Sequence, residues 1–255
     1  MSIRWKDVFL LPDAAYAGDR RIPKTVLTSR AMLTKREQKT LDKMRRLEHF
    51  ATVSKGTAQI LPCIDEEHDI QSIIFLRCEM AGDSQAVAEV ANLLHRCLPN
   101  PTVILQESGD DVAISVAMTR KSLAEQGATV VSNVESTGLF IPKDERYSSF
   151  LQVLAFDNLP QDDLLSYLHA LADCVRLSQA IRPLGFYPRC ETSNHEHLLE
   201  LVSEYDECQK EVDMLADRRS DKNISPNESA RLRMEIIASE KRRNKKLEEI
   251  RAICI

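Results

Sequence analysis

Two groups of basic residues in this sequence have the chemistry to contact phosphate. One lies near the start of the chain and the other in a long polar stretch near its end. Lysine and arginine neutralise phosphates without reading base sequence, so both groups are candidate nucleic-acid contacts. Their members are Arg20, Arg21, Lys24, Lys241, Arg242, Arg243, Lys245 and Lys246. For the second group the sequence leaves open a structural role, as a solvated helix face opposite an acidic helix.

Acidic residues near apolar segments suggest a second chemistry, the metal-dependent cleavage of DNA. Nucleases of the restriction type carry an Asp and a Glu-x-Lys on adjacent strands, so that two carboxylates hold Mg²⁺. Asp65 and Glu79 are the candidates here, but Met80 and Ala81 follow Glu79, where a lysine is needed. A metal-dependent nuclease with an unrecognised motif is therefore kept only as an alternative.

Other catalytic and cofactor motifs do not occur in the sequence. It has no Gly-x-Ser-x-Gly, no Walker loop and no dinucleotide fingerprint, and its 7 glycines offer little for a phosphate cradle. The 7 cysteines form no C-x-x-C pair, and the spacing of His195 and His197 puts them on different faces of a helix. We therefore predict no catalytic residue, no metal and no cofactor.

Hydropathy and charge limit the location and the partners. No run of 18 apolar residues occurs and the start is too polar for a signal peptide, so we expect a cytoplasmic protein without membrane contact. Residues 1–50 carry a net charge of +6, residues 51–190 carry −8 and the remainder carries −3. The acidic middle argues against a broad nucleic-acid-binding face there.

The apolar pattern predicts an irregular basic arm at residues 1–33 and an α+β domain at residues 34–190. Thr34 can cap a helix whose apolar spacing includes Leu41, Met44 and Leu47, and a strand follows near residues 50–54.

Between residues 70 and 141 the pattern predicts an antiparallel-rich sheet with helices packed on it. Ser108-Gly-Asp-Asp111 predicts a hairpin turn. Asp83 or Ser84 can cap a helix that ends before Pro99, and a further helix follows Leu159-Pro160. The expected strands are residues 72–80, 102–106, 112–118, 128–132 and 138–141.

Residues 191–255 are predicted to form an antiparallel helical hairpin of coiled-coil character. Ser193 and Glu196 indicate a capping box for its first helix. Ser225, Pro226 and Glu228 give an N-terminal cap for its second helix.

The first helix of this hairpin carries an apolar seam at heptad spacing. In the second helix Ser239 and Arg243 interrupt the corresponding stripe, so we expect the seam to be incompletely covered. We interpret the seam as a partner-binding surface, for another protein or in a homodimer. Its residues are Leu198, Leu201, Tyr205, Cys208, Val212 and Leu215.

Several short segments resemble landmarks of a prokaryotic family of unknown function. They are Arg21-Ile-Pro-Lys24, the strand 72–80, Leu98-Pro-Asn-Pro-Thr-Val-Ile-Leu105 and Met118-Thr-Arg-Lys121, with the helix after Leu159-Pro160 and the charged helical tail. Members of that family typically lie beside SWI/SNF-type helicases and DNA adenine methyltransferases in restriction-like or phage-defence operons. Lys24 and Lys121 match its recurrent lysines, which adds Lys121 to the candidate nucleic-acid contacts.

The resemblance implies an accessory subunit of a DNA-acting defence assembly, with no catalytic residues to carry over. We therefore expect a non-enzymatic protein whose hairpin contacts a larger helicase, methyltransferase or nuclease subunit of the same operon, while the α+β domain supports DNA. Direct nonspecific DNA binding and metal-dependent cleavage are the alternatives.

Overall fold

The computed structural model describes residues 3–30, 33–82, 84–98, 100–124, 128–221 and 223–254. The chain divides into two compact units, Met1–Val175 and Arg176–Ile255. The expected domain boundary near residue 190 lies further along the chain than this division. None of the helices in the described ranges combines the length and the apolar composition that a membrane span needs.

The described part of the first unit contains eight strands. They are β1 (Tyr16–Arg21), β2 (Met44–Ser54), β3 (Cys63–Ile64), β4 (Asp69–Ile70), β5 (Ser72–Met80), β6 (Thr102–Ser108), β7 (Asp111–Lys121) and β8 (Thr129–Ser136). Six of them form one sheet in the order β1-β2-β5-β6-β7-β8, and β3 pairs with β4. Only β5 and β6 run parallel within the large sheet.

Ten α-helices occur in the described ranges. They are α1 (Trp5–Phe9), α2 (Lys24–Arg30), α3 (Lys35–Asp42), α4 (Lys55–Ala58), α5 (Val87–Cys97), α6 (Ser148–Val153), α7 (Leu164–Ser178), α8 (Ile181–Leu184), α9 (His195–Ser220) and α10 (Pro226–Ile253). This confirms the predicted α+β class, with an antiparallel-rich sheet, packed helices and a C-terminal helical pair.

The centre of the sheet follows from the sequence pattern. A parallel pair needs a crossover, and α5 provides it between β5 and β6. β6 and β7 form the predicted hairpin, in which Gly109 takes a φ of 66° that favours glycine. α5 begins at Val87 after a 3-10 turn at Ser84–Ala86, and its N-cap position is Ala86, two residues after the predicted Ser84. Asp83 lies outside the described residues.

Apolar side chains of a different helix cover each face of the sheet. On one face, Leu76 and Cys78 of β5 lie in a core cluster with Val90 and Leu94 of α5. Successive strand residues point to opposite faces, so Phe75 lies on the other face. There it meets Phe9 of α1 edge to face, with ring centroids 5.3 Å apart.

A buried histidine joins α5 to the sheet. The Nδ1 atom of His95 lies within hydrogen-bond distance of Thr102, and its Nε2 atom lies 2.9 Å from the Ser115 hydroxyl. Burial lowers the pKa of His95 to about 3, because no acidic group compensates the loss of water. The imidazole is therefore neutral at physiological pH and acts as a polar link between α5, β6 and β7.

Three further expectations about the first unit were wrong. The described residues of the expected irregular arm 1–33 instead form α1, β1 and α2, and they bury Trp5 and Phe9. The helix after Thr34 has its predicted capping box but ends at Asp42. Residues 138–141 form only an isolated bridge to β7.

The premature end of α3 has a geometric cause. Met44 and Leu47 are spaced as on a helix, yet both lie on β2 and both join the same core cluster. The pairing of β2 with β5 shifts register between Met44 and Arg46. Such an irregularity turns the strand, so residues three apart share one face and imitate a helical period.

α9 and α10 form the predicted hairpin, but only one of its two caps is as expected. The Ser225 hydroxyl accepts the N–H of Glu228 at 3.2 Å, and Pro226 occupies the first turn. Ser193 instead lies inside a 3-10 turn, and Asn194 takes the N-cap of α9 without a side-chain bond.

A polar layer interrupts the interface between the two helices. Ser239 is 1% exposed and its hydroxyl donates to the Glu235 carbonyl at 3.0 Å. Arg243 donates from Nη1 to the side-chain oxygen of Gln209 at 2.9 Å. A polar layer in an apolar seam lowers stability but fixes the register of the pair.

Candidate nucleic-acid interface

Eight cations of the first unit form what we call the N-terminal basic surface. They are Arg20, Arg21, Lys24, Lys35, Arg36, Lys39, Arg45 and Arg46. They come from four consecutive elements, β1, α2, α3 and β2. The ion pair between Lys24 Nζ and Asp42 Oδ1, at 3.8 Å, shows that the start of α2 lies beside the end of α3.

The two arginines of β1 owe their exposure to an edge position. β1 is the outermost strand of the sheet, and Gly18 and Asp19 have φ values of 68° and 53° in an irregular segment of its pairing. Beyond it Arg20 pairs with His49 and Arg21 pairs with Glu48. Charged residues on an edge strand also prevent pairing with other chains, which is the structural alternative to a binding role.

α3 presents its cations because its other side is anchored. Leu41 is buried in the core, and the Thr34 hydroxyl accepts the Glu37 N–H at 3.3 Å. The backbone N–H of Thr34, together with Arg96, lowers the pKa of Glu37 to about 2. Glu37 is thus engaged with Arg96 and the helix cap. The exposed cations of α3 are Lys35, Arg36 and Lys39.

The cations of this surface differ in how far acids neutralise them. Arg45 contacts Glu79 at 2.9 Å, and Arg46 contacts Glu48. With the Lys24–Asp42 pair, these are the ion pairs of the surface. The other five cations make no ion pair in the part of the chain that the structure describes: Arg20, Arg21, Lys35, Arg36 and Lys39.

A denser ion network lies next to this surface, on the strands β2, β5 and β6. Arg77 donates to both carboxylate oxygens of Glu107, at 2.7 and 2.8 Å, and lies 3.6 Å from Glu48. Glu107 also accepts the indole N–H of Trp5 at 2.8 Å. Glu107 is the main cause of a raised pKa for Arg77. Because these groups satisfy one another, the network ties α1 to the sheet and is structural.

The two acids proposed for a nuclease bind separate partners. Glu79 is paired with Arg45 on the sheet. Asp65 accepts the N–H groups of His68 and Glu67, and the bond from the His68 N–H is the first cause that lowers its pKa to about 2. The described residues contain no group of three or more His, Cys, Asp or Glu that could hold a metal. The geometry gives the nuclease alternative no support.

The basic cluster of α10 is largely occupied by the acidic helix beside it. Arg242 contacts Glu211 at 2.7 Å, and Lys246 contacts Glu204 at 2.7 Å. Arg243 is held inside the polar layer. The remaining two members are Lys245, which lies 3.6 Å from Glu249, and the exposed Lys241. The geometry therefore favours the structural role that the sequence left open for this cluster.

Lys121 is also engaged within the chain. Its ammonium group donates to the backbone carbonyl of Asp65, and its own backbone N–H donates to the carbonyl of Glu67. It thus links the end of β7 to the β3–β4 ribbon. β7 lies four strands from β1 in the sheet order, and Lys24 follows β1, so the structure separates Lys121 from Lys24.

The proposed partner-binding seam is covered. Five of its six residues are buried, and Cys208 is half-buried. The expectation of an incompletely covered seam is therefore wrong, because the polar layer fills the place that an apolar stripe would have filled. Its role in partner binding stays a prediction that this burial does not favour.

Sequence reasoning named Arg20, Arg21 and Lys24 but not the other members of the surface. Arg45 and Arg46 join it only because β2 begins at Met44 and pairs with β1. The cations of α3 were visible as the exposed side of a helix. The excess of positive charge in residues 1–50 was the signal from which one common basic surface could have been predicted.

The fold and its basic surface define a mixed α+β protein with a candidate phosphate-contacting face. The chain matches the family model described as "Domain of unknown function (DUF4391)" over residues 9–242 and belongs to that family. No curated protein and no solved structure gave a match.

Proposed function

We propose that the protein is a non-enzymatic accessory subunit of a DNA-acting assembly and that its N-terminal basic surface contacts the phosphate backbone. One observation carries the proposal. Five exposed cations of this surface make no ion pair in the described chain, although acids outnumber bases in the sequence as a whole. Cations without internal partners are the ones that can release counterions from DNA.

A duplex is favoured over unpaired bases by the kind of side chains present. The surface consists of lysine and arginine, and its aromatic neighbour Tyr16 packs edge to face on Phe50 at 5.5 Å. Exposed aromatic rings would be needed to stack unpaired bases. Double-stranded DNA of any sequence is therefore the proposed ligand.

A charge-reversal experiment tests this proposal. The full-length variant Arg20→Glu/Arg21→Glu/Lys39→Glu should bind a fluorescent DNA duplex at least about tenfold more weakly at low salt, because three phosphate contacts become repulsive. The matched control Arg219→Glu/Arg233→Glu/Lys241→Glu makes the same charge change on exposed residues of α9 and α10. The affinity of this control for the duplex should stay within about twofold of that of the wild type. Equal losses of affinity in both variants would show that net charge alone causes the effect, and this result would contradict the proposal.

The proposed accessory role requires that the hairpin binds a protein partner. The resemblance implies that members of the family are encoded beside helicases and DNA methyltransferases, and on that ground we propose such a subunit as the partner. Since the seam is buried, contact has to use the outer faces of the hairpin, where Met234 is 67% and Ile237 is 49% exposed. Binding of the purified subunit encoded by the neighbouring gene should weaken in Met234→Lys/Ile237→Lys, measured by interferometry. Undiminished binding by a variant that is still folded would contradict this role of the hairpin.

A further inference from the structure

The two edge strands of the six-stranded sheet differ in how they are protected. β1 forms one edge and β8 forms the other. β1 carries the charged residues Asp19, Arg20 and Arg21, and Gly18 and Asp19 leave the extended conformation with positive φ values. Charged side chains and an irregular backbone are two of the means by which proteins keep an edge strand from pairing with another chain.

β8 is an extended strand with one charged side chain. Its eight residues read Thr-Val-Val-Ser-Asn-Val-Glu-Ser, and Glu135 is their single charge. Valine and threonine favour strands. The pairing with β7 shifts register between Met118 and Thr119, yet all residues of β8 lie in the described range and keep a negative φ. β8 therefore has neither the charges nor the left-handed residues that protect β1.

The outer side of β8 is accessible. β7 lies on one side of it, and no strand in the described part of the chain pairs with the other side. None of the residues 130–134 is buried, and Val130 is 37% exposed. Backbone N–H and C=O groups of a strand point to both sides, so those turned away from β7 can receive another strand. The sheet can thus be extended at this edge.

We propose that β8 pairs antiparallel with β8 of a second copy of this chain, so that two six-stranded sheets join into one. A symmetric dimer of this kind uses the same surface of both copies. The exposed stretch 130–134 has its midpoint at Ser132, which places the two-fold axis there. Val130 then lies opposite Val134 of the second copy, and cross-strand pairs of β-branched side chains stabilise a sheet.

Charge favours a second copy as the occupant of this edge. In the register centred on Ser132, the charged Glu135 lies opposite Thr129 of the second copy, so no two like charges meet. The same pairing along β1 would bring Arg20 and Arg21 of two copies close together, and they would repel. Because β1 stays at both outer edges, the N-terminal basic surface remains free in the dimer, and the inference does not depend on the proposed function.

The test measures the mass of the full-length protein by sedimentation velocity. A single strand pair buries less surface than a standard interface, so the dimer is weak and the protein is examined from about 1 to about 200 µM. The wild type should pass from monomer to dimer in this range. Val130→Lys/Ser132→Lys should dimerise at least about tenfold more weakly, because like charges then meet at the two-fold axis.

A complementary pair of variants separates repulsion from misfolding. Val130→Glu/Ser132→Glu should also be weakened, whereas an equimolar mixture of the lysine and glutamate variants should form the dimer again, since opposite charges then face each other. The control Met214→Lys/Ile237→Lys adds two lysines to exposed apolar positions of the hairpin and should dimerise like the wild type. Melting curves establish that each variant is folded.

Each remaining outcome would overturn the proposal. A wild type that is monomeric throughout, dimers that survive in both β8 variants, or a mixture that stays monomeric would each exclude pairing through β8. Loss of the dimer in the hairpin control alone would assign it to α9 and α10. A monomeric wild type whose binding to the subunit encoded by the neighbouring gene is lost in the β8 variants would assign the edge to a strand of a different protein.

Discussion

The two basic regions of this protein have similar residues and opposite surroundings. In the hairpin, Arg242 and Lys246 each contact a glutamate of α9 at 2.7 Å, and Arg243 lies in the polar layer. On the N-terminal basic surface, Arg20 and Arg21 lie on an edge strand and make no ion pair in the described residues. A run of basic residues therefore indicates a ligand only when the structure shows that neighbouring acids do not pair with it.

The difference comes from the secondary structure around each region. An antiparallel helix pair brings a second helix along the length of the first, so acids at the right spacing can reach its basic residues, as Glu211 and Glu204 reach Arg242 and Lys246. An edge strand has a neighbour on one side only. Paired cations should therefore be structural, and unpaired cations should be dispensable for stability.

Acidification should weaken the first unit through His95. Its pKa is about 3 in the folded state, below the ordinary value of about 6.5. Because the folded-state pKa is lowered, the unfolded chain binds the proton first. Stability is complete above about pH 6.5 and is lost as the pH falls towards 3, by at most about 1.4 kcal/mol per pH unit.

Urea unfolding followed by the fluorescence of Trp5, the single tryptophan, measures this loss in the first unit. His95→Gln can keep polar contacts to Thr102 and Ser115 without titrating. Its stability should be lower at pH 7 but nearly flat between pH 6.5 and 5. A slope equal to that of the wild type would show that another group causes the pH dependence.

Removal of a fully engaged cation should destabilise the first unit. Arg77→Ala leaves Glu48 and Glu107 without their shared partner in a part-buried site. We expect a loss of about 3 kcal/mol in the free energy of unfolding. Arg21→Ala, which removes an exposed arginine without an ion pair, should change stability by less than about 0.5 kcal/mol. Similar losses in the two variants would break the distinction between paired and unpaired cations.

The ion pairs of the hairpin should each contribute little. A double-mutant cycle on Arg242 and Glu211 should give a coupling of about 0.5 kcal/mol that declines in salt, because the Arg242 and Glu211 side chains are 62% and 40% exposed. Thermal melts of the two single variants and the double variant measure it. A coupling near zero would mean that the apolar seam and the polar layer alone hold the register.

Much of the fold could be predicted because its signals are local. The hairpin, the strand Ser72–Met80 and the turn at Gly109 depend on periodicity and on turn residues within a few positions. The strand β2 was misjudged at its start, since its bulge imitates a helical spacing. β1 has a mostly exposed and polar sequence, and only its pairing with β2 makes it a strand.

The candidate site was predictable in part for the same reason. Arg20, Arg21 and Lys24 are neighbours in sequence, so their charge was evident. Arg45 and Arg46 join them through strand pairing, which no local pattern reveals. The acidic first helix of the hairpin indicated that acids would pair with the basic cluster of α10. The particular ion pairs could not be predicted, because they depend on the register that the polar layer sets.

The salt dependence of duplex binding tests the central claim most directly. If Arg20 and Arg21 each neutralise a phosphate, Arg20→Gln/Arg21→Gln should reduce the slope of log K against log salt concentration by about 2. Lys241→Gln/Lys245→Gln, which removes the same charge from the hairpin, should leave the slope unchanged. A reduced slope in the hairpin variant together with a wild-type slope in the β1 variant would contradict the account.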